Sequence, residues 1–159
     1  MKITVVCVGK IKERFFADAL KEYEKRLSRY CKLSIVELQD EKTPDGASAA
    51  LEEQIRRKEG ERILKALPEG AYSIALAIQG KQLSSEELAE TIEKLGVNGT
   101  SHIVFIIGGS LGLSKEVLSR AEYFLSFSKM TFPHQLMRVI LLEQIYRAYR
   151  INSGEPYHK

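Results

Sequence analysis

Two loops hold the residue types best suited to chemistry. The first is Ile107-Gly108-Gly109-Ser110-Leu111-Gly112-Leu113-Ser114. Its three glycines allow positive φ and close backbone approach to a ligand. Amides at the start of the helix that follows can receive an oxygen or a carboxylate. The spacing is neither GxGxxG nor a P-loop, since Lys115 follows Ser114 and no GK[ST] is present. A tight βα turn explains the same residues. The second loop is Phe127-Ser128-Lys129-Met130-Thr131-Phe132-Pro133-His134. It mixes apolar side chains with free backbone groups. A nucleoside needs both, apolar walls for the base and amides or carbonyls for its edges. A connecting loop whose Phe and Met finish the core is the plainer account.

Other candidates offer less. His102, His134 and His158 lack metal-ligand spacing and have no Cys or carboxylate cluster beside them, so no metal is expected. Cys7 falls in a predicted strand and reads as core. No GxSxG and no kinase motif set occurs. Arg14, Lys21, Lys25 and Arg29 form a basic stripe that could track a phosphate backbone, although a solvated helix face gives the same pattern.

The elements that must position these loops alternate between strand and helix. Strands are predicted at Ile3–Val8, Leu33–Leu38, Tyr72–Ile78, Ile103–Ile107 and Tyr123–Phe127. The run Ile103–Ile107 is apolar throughout, as in the centre of a parallel sheet. Helices are predicted at Arg14–Tyr30, Ala47–Leu67, Ser84–Leu95, Ser114–Ala121 and His134–Tyr149. In the first, Phe15, Phe16, Ala19, Leu20, Tyr23, Leu27 and Tyr30 share one side. The pattern gives one α/β domain, a mostly parallel sheet with helices on its faces. Ligands in such sheets bind beyond the carboxyl ends of the strands, which directs attention to Ile78 and Ile107.

The last helix is apolar around most of its circumference, and Glu143, Arg147 and Arg150 make a narrow polar stripe. Such a helix must be covered on more than one side. If the sheet covers only one, a homodimer with this helix in the interface is expected. Arg138 falls inside the apolar sector and needs a carboxylate, a carbonyl or a substrate phosphate.

At 159 residues, 44% hydrophobic and 28% charged, the chain has the balance of a soluble globular domain. Two cysteines exclude a disulfide scaffold and agree with a reducing cytoplasm. The amino-terminal apolar stretch does not read as a signal peptide, and no run is long enough to span a bilayer. The formal net charge is +3, unevenly spread. Residues 1–32 carry nine Lys/Arg against four Asp/Glu, and residues 129–159 carry five against two. Between them ten face fifteen. Two basic ends could join as a surface that attracts phosphates.

The carboxyl-terminal half resembles one family. Its marks are Phe105-Ile106-Ile107-Gly108-Gly109 with Gly112; Leu125-Ser126 and the loop Phe127–His134; Gln135-Leu136 with Arg138; Glu143-Gln144 with Tyr146-Arg147-Ala148; and the ending Gly154-Glu155-Pro156-Tyr157-His158-Lys159. The resemblance is to the RlmH (YbeA-like) group of SPOUT methyltransferases and extends over the whole chain, including Val8-Gly9-Lys10 and Gly80-Lys81.

The resemblance implies a single SPOUT (alpha/beta knot) domain over residues 1–159, with a carboxyl-terminal trefoil knot and the cofactor region within residues 103–159. It implies methylation of N3 of pseudouridine 1915, in helix 69 of 23S ribosomal RNA, on assembled ribosomes. S-adenosylmethionine is the implied cofactor, and a cytoplasmic homodimer with a composite site is the implied assembly. Leu76, Gly108, Phe127, Ser128, Lys129, Met130, Thr131 and Phe132 match the family's cofactor-contacting positions. His158 and Tyr157 become candidates for handling the N3 proton, because the tail closes the family's site. Arg147, with His134 and Arg138, becomes a candidate for holding RNA. With no appended RNA-binding domain, the enzyme is expected to read the shape of a ribosome rather than a bare loop.

Two readings from other classes stand beside this one. A dinucleotide-binding enzyme needs GxGxxG after the first strand, where Gly9-Lys10-Ile11-Lys12 stands instead. A non-catalytic ribosome-binding factor predicts basic stripes without a cofactor cleft.

Overall fold

A computed structural model describes all 159 residues. Five strands form one parallel sheet: β1 (Lys2–Val8), β2 (Lys32–Leu38), β3 (Tyr72–Gln82), β4 (His102–Ile107) and β5 (Tyr123–Ser126), in the spatial order β2-β1-β4-β3-β5. Five helices cover it: α1 (Arg14–Leu27), α2 (Ala49–Ala66), α3 (Ser85–Val97), α4 (Lys115–Arg120) and α5 (His134–Asn152). β4 lies at the centre, and Ile103, Val104, Phe105, Ile106 and Ile107 are all buried, as a strand covered on both faces requires.

The two faces carry different helices. On one, Leu20 and Leu27 of α1, Leu88, Ala89 and Ile92 of α3, and Leu141, Leu142, Ile145 and Ala148 of α5 pack onto Ile3, Val5, Ile74, Ile103 and Phe105. On the other, Ile63 of α2 and Val117 of α4 meet Val6, Val8, Val104 and Ile106. Alternate residues of β1 and β4 therefore feed opposite cores. Helix starts follow side-chain chemistry. Ser48 and Ser114 cap α2 and α4, and Ser84 forms a reciprocal capping box with Glu87 at the start of α3.

The third strand departs from expectation. It does not stop at Ile78 but runs on to Gln82, because its pairing with β5 resumes after a bulge. Leu125 pairs with both Leu76 and Lys81, so residues 77–80 are looped out of the ladder. Gly80 makes this possible: a Cβ there would lie 2.7 Å from the Phe124 backbone. Phe15 is a smaller departure. It is 65% exposed and lies against Phe16, not in the core.

α5 is covered more fully by its own chain than the sheet alone would allow. α1 and α3 flank it, and none of its residues is fully exposed. The premise that only the sheet is available is thus corrected. Leu136, Val139 and Ile140 stay half-buried. Arg138 is 1% exposed, with Nη1 donating to Glu37 Oε2 at 2.6 Å and Nη2 to the Gly9 carbonyl at 2.6 Å. Its acceptors are internal, so it is not free to hold a phosphate.

Candidate active site

The carboxyl ends of β3, β4 and β5 open into a cleft of about 790 Å³. Three pieces of chain make its walls: the β3 bulge with Leu76, Ala77, Ile78 and Gln79, the glycine loop 107–113, and the segment after β5. Of the residues matched to cofactor contact, Leu76, Gly108, Phe127, Ser128, Met130, Thr131 and Phe132 line it, and Lys129 does not. Its lining includes no Asp or Glu, and Arg56 is the one charged residue there.

The three loop glycines do different jobs. Gly112 has φ +83°, a conformation that excludes most side chains, and its amide closes the turn on the Gly109 carbonyl at 3.1 Å. Gly108 is needed for packing within the loop, since a Cβ there would lie 2.9 Å from the Gly112 carbonyl carbon and 2.9 Å from Leu113 Cδ2. Gly109 makes room for Glu59 of α2, whose Oε1 would stand 2.9 Å from an added Cβ. The Glu59 carboxyl is 4% exposed, accepts from the Glu41 amide through Oε2 and has no partner at Oε1. Burial pushes its pKa up, and the Glu41 amide opposes that only in part.

A second cluster lies outside the cleft, where the tail folds back over α1, α3 and α5. Tyr157 stands edge-on to Tyr146, 4.9 Å between centroids, and its hydroxyl donates to Glu143 Oε1 at 2.9 Å. Arg147 also holds Glu143, at 2.8 Å, and lies 4.8 Å from the Tyr157 ring centroid. Arg147 Nη1 is 3.1 Å from His158 Nδ1, and His158 Nε2 is 2.6 Å from Glu86 Oε1. Arginine only donates, so Nδ1 accepts and the neutral Nε2–H tautomer satisfies both partners. Burial and the Glu143 hydrogen bond push the Tyr157 hydroxyl above its ordinary pKa. Glu86 is held low by its own backbone amide first and by His158 second. Upstream, Glu155 is gripped by Arg150 at 2.7 Å and Tyr30 at 2.6 Å. The tail is ordered by these contacts.

His158, Tyr157 and Arg147 are therefore together, but none lines the cleft of the same chain. A smaller hollow of about 250 Å³, lined by Ser84, Ser85 and Gln144, lies between, and shares Leu125, Phe127 and Phe132 with the cleft. Arg14, Lys21 and Lys25 are exposed along α1, and Arg29 is exposed in the turn that follows it. His134 packs over Gly9, and burial, with the adjacent Arg138, lowers its pKa. Burial raises the Cys7 thiol to about 11, as fits a core residue. No group of three or more His, Cys, Asp or Glu could hold a metal, and no helix is long and apolar enough to cross a membrane.

Sequence reasoning missed the partners. Glu143 could have been found from its i,i+4 spacing to Arg147. Glu86 is 72 residues from His158 and left no local signal.

Comparison with known proteins places the chain in a family. Residues 1–158 match the family described as predicted SPOUT methyltransferase. The chain is 69% identical over 159 residues to ribosomal RNA large subunit methyltransferase H of Bifidobacterium adolescentis, covering all of both chains. It is 68% identical to the protein of that name from Clostridium novyi and 63% to that from Clostridioides difficile, again over the full length of each.

Proposed function

The chain belongs to the RlmH group of the SPOUT methyltransferase family, and from that premise we propose that it methylates N3 of pseudouridine 1915, in helix 69 of 23S ribosomal RNA. It acts on assembled ribosomes in the cytoplasm, as a homodimer. S-adenosylmethionine supplies, when bound, a methyl group already activated on a sulfonium. The segment 103–159 is threaded as a trefoil knot around that donor's site.

The residues present suit such a donor. Leu76, Leu125, Phe127 and Phe132 give apolar walls for a purine, while the loop 107–113 and Ser128, Met130 and Thr131 line the same space with their polar backbone. No carboxylate in the lining competes with the ligand's own. Glu59 and the Gly112 turn fix the loop from behind. Such fixed positioning is the protein's main lever, because aligning two reactants can lower a barrier by about 7–11 kcal/mol.

The observation that carries the reading is the separation of two clusters. The cleft and the His158–Tyr157–Arg147 cluster do not meet within one chain. A second copy brings its tail to the first copy's cleft, and the half-buried Leu136, Val139 and Ile140 of α5 become the contact. His158 then takes the N3 proton at Nδ1 as Arg147 turns to the RNA, while Glu86 holds the ring by Nε2–H. Tyr157 and Glu143 keep the tail in register.

Incubation of purified ribosomes with the protein and labelled S-adenosylmethionine, followed by mass spectrometry of the ribosomal RNA, tests this directly. One labelled methyl on the helix 69 pseudouridine is expected. No incorporation, or label on another nucleotide, refutes the assignment.

A further inference from the structure

Arg56 carries an observation that the account above leaves unused. Its neighbours on α2 are paired: Arg57 with Glu53 and Glu116, and both Lys58 and Arg62 with Glu41. Arg56 makes no hydrogen bond or ion pair in the chain, is only half-buried, and lines the cleft as its one charged residue. A guanidinium placed so, with no acid in the lining, has its donors available to an oxyanion.

The position is rigid. Glu59, one turn further along α2, packs on Gly109, and Gly60 packs so closely on Ser114 that a Cβ there would collide with its side chain. These contacts lock α2 to the glycine loop and its flanking Ser114, so Arg56, one turn before Gly60, is held in the cleft lining on a fixed helix.

The position also selects the ligand. α2 belongs to the sheet face covered by α2 and α4. The tail cluster and the basic stripe belong to the α1, α3, α5 face. Arg56 thus reaches the cleft from the sheet face opposite α5, the surface on which the second copy is proposed to dock, and meets what lies inside the cleft. We infer that Arg56 grips the carboxylate of the amino-acid end of an S-adenosyl ligand. This rests on the cleft being the donor site. Arg56 would fix which end of the donor faces the glycine loop, and would discriminate against adenosine thioethers that lack an amino-acid end.

Calorimetric titration with two ligands tests it. S-adenosylhomocysteine carries the carboxylate; 5′-methylthioadenosine has no amino-acid end. In Arg56→Gln, affinity for S-adenosylhomocysteine is expected to fall about tenfold or more, the cost of a lost charged hydrogen bond, while 5′-methylthioadenosine binds as to the unaltered protein. Arg56→Lys should recover part of the loss. Equal losses for both ligands, or no loss for either, overturn the inference while leaving the donor site intact. A raised KM for ribosomes with unchanged S-adenosylhomocysteine affinity assigns Arg56 to an RNA phosphate and also overturns it. An unaltered protein that binds neither ligand removes the donor-site reading itself, and this inference with it.

Discussion

His158 and Glu86 stand 2.6 Å apart, Nε2 to Oε1, although 72 residues separate them in sequence. The contact joins the end of the tail to the first turn of α3, and Arg147 completes it from α5 at Nδ1. A histidine held at both nitrogens is oriented before any substrate arrives.

Replacing His158 by Ala should therefore cut turnover by about 10²- to 10⁴-fold, the range for loss of a general base, and leave S-adenosylmethionine affinity unchanged. Single-turnover methylation rates and calorimetry check the two halves. Unchanged turnover removes His158 from the proton path.

Gly108→Val should weaken donor binding by at least about tenfold. The cause is the loop itself, because the new side chain collides with Gly112 and Leu113 and reshapes the wall of the cleft. A titration with S-adenosylhomocysteine reads this. Unaltered affinity would place the donor elsewhere.

Arg138→Met should cost about 1–3 kcal/mol of stability, because it strands the buried Gly9 carbonyl, while the exposed Glu37 keeps solvent and the Ile11 amide. Chemical denaturation measures it. A loss of RNA binding with full stability would instead make Arg138 a substrate contact.

Glu122 gives a pH dependence. Burial pushes its carboxyl up, but hydrogen bonds from the Ser73 hydroxyl and amide outweigh that and hold it below the ordinary 4.5. A depressed carboxyl contributes stability that is fully present above its unfolded value and is lost as pH falls through the folded one. Because the carboxyl is exposed and screened by solvent, Glu122→Ala should cost under about 1 kcal/mol at pH 7, and progressively less as pH falls below 4.5. The gap between the two proteins' denaturation midpoints should be narrower at pH 3.5 than at pH 7; a gap independent of pH contradicts the account.

Much of this architecture is legible locally. The apolar run Ile103–Ile107, the caps Ser84 and Ser114, and the breaks at Gly9 and Pro68 each act within a few residues, so β4, α3, α4 and the ends of β1 and α2 can be read from sequence. The bulge in β3 could not, since Gly80 has a purpose only once Phe124 lies beside it. Arg138 announces a need for an acceptor by its place among apolar residues, but Glu37 lies 101 positions away. The site divides in the same way. Its cleft loops carry glycines and aromatics that spacing and resemblance both single out. Arg56 sits in a run of charged residues on α2 and shows nothing until the ion pairs around it are counted out.

The central claim is that one copy's cleft works with another copy's tail, and mixing two inactive variants tests it most directly. One lacks Gly154–Lys159 and keeps its cleft; the other carries Gly108→Val and keeps its tail. In a mixed dimer, verified by native mass spectrometry, one intact cleft meets one intact tail. The account predicts that methylation of ribosomes returns on mixing. Mixed dimers that form and remain as inactive as either parent would contradict it.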